Sequence, residues 1–331
     1  MPTVTKERAE TGAVKPPGAR DSGSSGGKSS RGGIWKRFQR SRFLVLLMVP
    51  GLVYFLVFHY GAFVANAVAF KEYVPFDGLW ASPWVGTENF ERMLGDPDFW
   101  HATWNTLLIA VLQLVFFFPA PLALALLLHS LSSDLLRRFT QSVIYLPHFL
   151  SWVVVVALFQ QVLSDTGLLN TFLGDAGLHT VDIIGNPDAY KPLVVLEVIW
   201  KDAGWGTIIF LAALMQVDEQ LYEASAIDGA GPWRRFWHVT LPGIRPIIIL
   251  LLIMRLGDIL SVGFEQMLLQ RQSVGPEVGE VLDTFVFWQG IVGGDTGYAA
   301  AAGLFKGVVG AALVFTANRV AHRLGEQGVY K

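Results

Sequence analysis

Six stretches of this chain are long and apolar enough to cross a lipid bilayer: residues 43–70, 106–128, 142–163, 193–215, 244–264 and 299–320. A helix needs about 20 predominantly apolar residues to traverse the hydrocarbon core, and there every backbone donor and acceptor must be satisfied within the protein. Those constraints predict an all-α membrane protein with six transmembrane helices. Charge content agrees: Asp, Glu, Lys and Arg make up 16% of the 331 residues, against about 25% in soluble domains, too few to clothe a fully water-exposed surface. The first stretch is too long, and starts too late, for a cleaved leader, so it is expected to be retained.

Basic residues orient the spans. The N-terminal tail, the segment with Arg137 and Arg138, that with Arg234, Arg235 and Arg245, and the end with Arg319, Arg323 and Lys331 hold eighteen Lys and Arg, whereas the alternate segments, with Lys71, Arg92, Lys191 and Arg271, hold four. The positive-inside rule then places both termini in the cytoplasm. Residues 1–33, rich in Gly, Ser, Pro and charge, have too little apolar surface to order themselves and read as a disordered cytoplasmic tail; residues 34–331 read as one six-span domain. Within the tail, Gly27-Lys28-Ser29 imitates the end of a phosphate-binding loop, but Ser22 stands where that motif needs a glycine. If ATP drives this protein, another chain binds it.

Chemistry on the chain itself is scarce. With no cysteine, disulfides, thiol catalysis and Cys-ligated metals are excluded. The seven histidines are scattered without metal-ligand spacing, no nucleophile–base arrangement is present, and basic residues cluster only where topology explains them. No catalytic residue, no metal ligand and no nucleic-acid partner is expected.

The segment between the fourth and fifth spans, residues 217–246, describes two short helices joined by a break. Asp218 is placed to cap the first, Gly229 suits the left-handed position that ends it, and Pro232 suits the first turn of the second. Trp233, Phe236 and Trp237 fall on one face and Arg234, Arg235 and His238 elsewhere, the pattern of a helix in the headgroup layer. An elbow that merely packs on the membrane would explain that much. The spacing goes further. Glu223-Ala224-Ser225, Gly229, Val239 and Leu241-Pro242 resemble the signature of permeases of binding-protein-dependent ABC importers, with Ser225 and Val239 departing from its second Ala and its Ile. VGTENFERMLGDPDFWHATWNTLLIA (85–110) resembles carbohydrate permeases more broadly. YLPHFLSWVVV (145–155), IWKDAGWGTIIFLAAL (199–214), VGFEQMLL (262–269), LDTFVFWQG (282–290) and LGEQGVY (324–330) resemble a narrower subgroup of poly- and oligosaccharide permeases, so the likeness covers the chain from about residue 43 onward.

The resemblance implies a type I ABC importer permease fold in the bacterial inner membrane, with residues 217–242 as the loop docked on a cytoplasmic ATPase. It implies a second permease in a heterodimer, two ATPase subunits that bind ATP and Mg, an extracytoplasmic solute-binding lipoprotein and a carbohydrate substrate, with no cofactor in this chain.

Glu197, Lys201, Asp202, Arg255, Asp258 and Lys306 lie inside predicted spans. An ionised side chain at the bilayer centre costs about 2.5–3.5 kcal/mol on insertion scales, so these groups must face protein or water. Glu197 with Lys201, and Arg255 with Asp258, have helical pairing offsets. Three roles are open: ion pairs that fix packing, a polar pathway or gate for a hydroxyl-rich substrate, or a proton relay. Beside them Ala203-Gly204-Trp205-Gly206 is expected to loosen or kink span four, with Trp205 placed to stack on a sugar ring. Pro119 and Pro121 should kink span two, and Gly303, Gly307 and Gly310 form a small-residue ridge on span six. The leading expectation is a pore-forming permease subunit powered by ATP hydrolysed elsewhere. A proton-coupled carrier using Glu197, Lys201 and Asp258, and a membrane-embedded enzyme, are the alternatives.

Overall fold

A computed structural model describes residues 42–323; the tail at 1–33 and the closing LGEQGVY lie outside the described residues. The chain falls into two units, one ending at Gly61 and one beginning at Ala62. The first contains α1 (Arg42–Phe55) and a π turn, Leu56–Gly61. Its rings cluster along the helix, Tyr54 on Phe58 (centroids 5.0 Å apart) and Phe55 on His59 (4.8 Å).

The second unit is helical nearly throughout. α2 (Glu88–Gly95) leads to α3 (Pro97–Leu112), whose first turn is capped by Asp96, accepting from the Asp98 N–H at 2.9 Å. A π turn, Gln113–Phe117, joins α3 to α4 (Pro119–His129) in one 33-residue span. The irregularity expected from Pro119 and Pro121 is thus taken up as a π turn just before them. A prolyl nitrogen cannot donate to the preceding turn, and widening that turn is one way to absorb the loss.

Span three departs from expectation. Instead of one helix over 142–163, α5 (Asp134–Tyr145) ends in a 3-10 turn, Leu146–Phe149, and the chain is extended at Leu150 and Ser151 before α6 (Trp152–Leu163). Pro147 sits in the 3-10 turn, and the Ser151 hydroxyl accepts from the Val154 N–H at 3.4 Å to restart the helix. α7 (Leu168–Asp175) follows, then α8 (Pro187–Leu214), unbroken for 28 residues.

α9 (Glu219–Ile227) is bent by 71° from α8. α10 (Pro232–Arg235) and a π turn, Phe236–Thr240, run into α11 (Leu241–Gly257). The expected span to residue 264 stops at Gly257, and Gly263, at φ 111°, precedes α12 (Phe264–Val274). α13 (Pro276–Gly279), α14 (Leu282–Phe287) with a π turn at Trp288–Val292, and α15 (Thr296–Arg323) complete the described chain. Among the described residues, five helices are long and apolar enough to span a membrane, or up to six spans if the charged α8 and the bent α9 count as one.

Lipid tails are as apolar as leucine, so close packing rather than water exclusion holds such helices together. Small residues mark the contacts. A Cβ on Gly204 would fall 1.9 Å from the Ile144 carbonyl oxygen, and one on Gly206 2.9 Å from Pro121 Cγ. The glycines of α8 therefore do not kink it; they let α5 and α4 approach its backbone. On α15, Gly310 packs on the Gly257 carbonyl of α11, whereas Gly303 and Gly307 face open space. Buried apolar groups gather around Phe99, Leu282 and Tyr298, around Ile109, Tyr190 and Met267, and around Ala125, Phe210 and Ile244.

Candidate functional site

Two features carry the candidate residues: the loop between spans four and five, and a polar cluster where span three breaks.

In the loop, Asp218 caps α9 by accepting from the Gln220 N–H at 2.9 Å. At the other end the Ala230 N–H donates to the Ser225 carbonyl (2.9 Å) and the Gly229 N–H to that of Ala226 (3.1 Å), with Gly229 at φ 71°. This pair of hydrogen bonds is the Schellman arrangement, which needs a residue without a Cβ penalty at that position. Arg235 Nε donates to the Ala230 carbonyl at 2.8 Å, and the Tyr222 and Thr240 hydroxyls meet at 2.9 Å, tying α9 to the π turn beyond α10. Trp233, Phe236 and Trp237 form one aromatic cluster, centroids 5.3–5.8 Å apart. Glu223, Ala224, Gly229 and Pro242 are exposed, with Ser225, Val239 and Leu241 partly so. Ile227 is 87% exposed although apolar. The fixed turn thus holds up a short helix whose outer surface is left exposed among the described residues.

The break in span three lies beside α8. Lys201 Nζ donates to the His148 carbonyl at 2.8 Å, lies 3.7 Å from Asp202 Oδ1, and sits 5.5 Å from the Trp152 ring centroid. Asp202 Oδ1 is 2.8 Å from His148 Nδ1. The imidazole stacks on Trp205, centroids 4.6 Å apart at 8°. Trp205 remains 47% exposed, so one indole face is covered and surface is left for a second partner. Arg255 donates to Gln113 Oε1 at 2.5 Å and sits over Phe117, within electrostatic reach of Asp258 and Asp202. Gln113 is held in turn by donating to the Val262 carbonyl at 3.1 Å.

The expected Glu197–Lys201 pair does not form. Glu197 is fully buried and accepts from Gln266 Nε2 (2.7 Å) and Gln270 Nε2 (2.7 and 2.8 Å) of α12. Helical offset makes Glu197 and Lys201 neighbours, but two amides of α12 take up the Glu197 carboxylate, while the His148 carbonyl at the span-three break accepts from Lys201. Arg255 likewise bonds Gln113 rather than Asp258. Lys306 pairs with Asp283 of α14, and Asp258 and Lys306 flank an open groove of about 430 Å³ along Gly303 and Gly307.

The structure therefore brings Lys201, Asp202 and Trp205 together, with Arg255 near them, and leaves Glu197 and Lys306 in separate contacts. His148, Gln113, Gln266 and Gln270 were not singled out from the sequence. His148 had one signal, the proline before it inside an apolar stretch; the glutamines had none, because an amide becomes informative only once its partner across the bundle is known.

Residues 118–325 match the family described as binding-protein-dependent transport system inner membrane component. Protein LplB of Bacillus subtilis is 44% identical over 293 residues, covering 88% of this chain and 92% of that protein. The polygalacturonan/rhamnogalacturonan transport system permease protein YteP of the same organism is 42% identical, covering 92% and 95%. Among solved structures, a bacterial alginate ABC transporter in complex with an alginate pentasaccharide-bound periplasmic protein has a chain with TM-score 0.82 and 36% identity, covering 89% of this chain and 99% of that one.

Proposed function

We propose, from the premise that this chain belongs to the inner-membrane components of binding-protein-dependent transport systems, that loop 217–242 couples it to a separate ATPase and that the polar break in span three lines the path of its substrate. The chain is a permease subunit of an oligosaccharide ABC importer, a multi-pass inner-membrane protein and not a catalytic enzyme. Neither a proton-coupled carrier nor a membrane enzyme finds support.

The observation that carries the coupling role is the exposed α9 with Glu223, Ala224 and Ser225, clamped by the Gly229 turn and leading through Val239 to Leu241-Pro242. A rigid, capped helix transmits force from a partner, whereas a frayed one would absorb it. The apolar Ile227 and the acidic Glu223 offer a partner groove both burial and a charge. Both termini lie in the cytoplasm with this loop, a second permease completes the pathway, two ATPase subunits bind ATP and Mg, and an extracytoplasmic binding lipoprotein delivers the sugar. Closure of the ATPases drives α9, and the bend to α8 passes the motion to the helix that bears Lys201, Asp202 and Trp205.

For the pathway, Trp205 offers an apolar ring face and Asp202 a carboxylate, the pair of features that suits a sugar. Arg255, within electrostatic reach of Asp202, adds charge beside them, while Asp258 and Lys306 flank the separate groove along Gly303 and Gly307. Among the similar proteins, one is named for polygalacturonan transport and one solved structure carries alginate pentasaccharide; an oligosaccharide containing uronates is the substrate class that fits.

Affinity purification of the tagged chain from native membrane, wild type against Glu223→Arg, tests the coupling. Recovery of a second permease and an ATPase with wild type, and loss of the ATPase alone in the variant, is the expected result. Partners indifferent to Glu223 would remove the coupling role from α9.

A further inference from the structure

Lys71, the first residue after the predicted span 43–70, closes a loop on itself. It bridges to Trp84 across the neck of the loop. Its ammonium, with three donors, reaches three backbone carbonyls on the far side, those of Leu79 (2.7 Å), Ser82 (3.2 Å) and Trp80 (3.3 Å). The Ser82 hydroxyl accepts from the Val74 N–H at 3.1 Å and donates to the Gly78 carbonyl at 2.6 Å. The N–H groups of Asp77 and Gly78 donate to the Val74 carbonyl, both at 3.1 Å, and that of Glu72 to the Pro83 carbonyl at 3.0 Å. Pro75 and Pro83 have no N–H to place. Much of the polar backbone is thus paired within the loop, while the rings stand outward: Phe76 is 100% exposed, Trp80 84% and Trp84 65%.

The fold fixes the level of this loop along the bundle. Asn89 Nδ2 donates to the Ala69 and Lys71 carbonyls, both at 3.0 Å, and a Cβ on Gly297 would fall 2.6 Å from the Lys71 carbonyl oxygen. Gly297 is the second residue of α15, whose predicted apolar run begins at Ala299. At 1.5 Å per residue it stands about 3 Å beyond that run, inside a headgroup layer roughly 5–8 Å deep on each side of the hydrocarbon core. The Trp80 carbonyl lies within reach of the Lys71 side chain from that level. Tryptophan is enriched at this depth because its ring is apolar and its N–H polar. Carbonyls already paired with an ammonium lose little where water thins. Glu72 and Asp77 are exposed as well, and the cost of a carboxylate in hydrocarbon stops the loop at the headgroups.

We propose that loop 71–84 is a lipid anchor, with the Phe76, Trp80 and Trp84 rings seated in the headgroup layer of the leaflet that meets the Thr296 end of α15. It goes beyond the importer reading and needs only that the chain spans a bilayer. The level set by Gly297 favours lipid over a protein occupant, because a protein resting on the bundle meets what projects past the headgroups.

Spin-label accessibility on the full chain in nanodiscs of phosphatidylethanolamine and phosphatidylglycerol tests it. The chain has no cysteine, so Ala81→Cys places one label in the loop and leaves all three rings. Glu223→Cys places one on the exposed surface of α9 as the water-side reference. The Ala81 label is expected to collide several-fold less with a water-soluble nickel chelate, and more with oxygen, than the Glu223 label. Adding Phe76→Ser and Trp80→Ser to Ala81→Cys, which removes only exposed rings, should raise the nickel collisions toward the reference. A loop label as open to nickel as the Glu223 label, or one that the double serine change leaves as it was, overturns the anchor and leaves the rings to a protein partner.

Discussion

Lys201 Nζ donates to the His148 carbonyl at 2.8 Å, across the gap between the fourth span and the break in the third. A broken helix leaves carbonyls without intrahelical partners, and here one of them finds its donor on the neighbouring span. The lysine satisfies one such group and, through Asp202 and its 2.8 Å contact with the imidazole, holds both the backbone and the side chain of His148. This contact positions Trp205 under the ring of His148.

Lys201→Met should therefore destabilise the protein by about 1 kcal/mol, the net worth of one part-buried hydrogen bond. Thermal unfolding of the purified chain in detergent reads this directly. Unchanged stability would mean that the His148 carbonyl is satisfied in some other way and that the lysine is not what holds the break.

Gly204 and Gly303 make opposite predictions for the same substitution. A Cβ at Gly204 meets the Ile144 carbonyl oxygen at 1.9 Å, whereas one at Gly303 meets nothing within 4 Å. Gly204→Ala should cost at least about 1–3 kcal/mol through overpacking against backbone that cannot rotate away. Gly303→Ala in the isolated chain should cost nothing measurable. Equal unfolding temperatures for the two variants would contradict the packing of α5 on α8.

Removal of Glu197 should be sensitive to hydrogen-bonding capacity. Glu197→Ala orphans the amide donor of Gln270, leaves that of Gln266 with the Val194 carbonyl alone and opens a cavity, for a loss of about 2–5 kcal/mol. Glu197→Gln keeps an oxygen for one of them and should lose less. A Gln variant as unstable as the Ala variant would show that the carboxylate charge, rather than its acceptor oxygens, matters.

At the pathway, Trp205→Ala should cut sugar uptake by about tenfold or more while leaving recovery of partner subunits unchanged, the loss expected of a ring that stacks on substrate. Uptake at the wild-type rate would leave Trp205 as packing for His148 alone.

Much of this arrangement is legible in the sequence because membrane segments answer to few constraints. Length and apolarity located the candidate spans, five in the described residues or six if α8 and α9 count as one, and the spacing from Glu223 to Pro242 marked the loop, whose Asp218 cap, Gly229 turn and Pro232 start all follow from local backbone chemistry. The interior was less legible. An apolar run gives no sign that Pro147 and Ser151 will divide it, since hydropathy is the same for a whole and a broken span. The partners of Glu197 lie 69 and 73 residues away on α12, and a helical offset of four cannot compete with a contact that only the tertiary fold creates. Residues 265–292 carry no predicted span, yet they fold as packed helices that bury Met267, Gln266 and Leu282.

Cross-linking from α9 tests whether this helix is the mechanical link to an ATPase. Because the chain has no native cysteine, Glu223→Cys introduces a single thiol. In native membranes a short thiol-to-amine cross-linker should join it to the ATPase subunit, with a yield that changes when ATP is bound and hydrolysed. Contradiction would come from a variant that still transports sugar and yet yields no ATPase product at Glu223→Cys, while the same reagent captures the ATPase from a cysteine elsewhere on this chain.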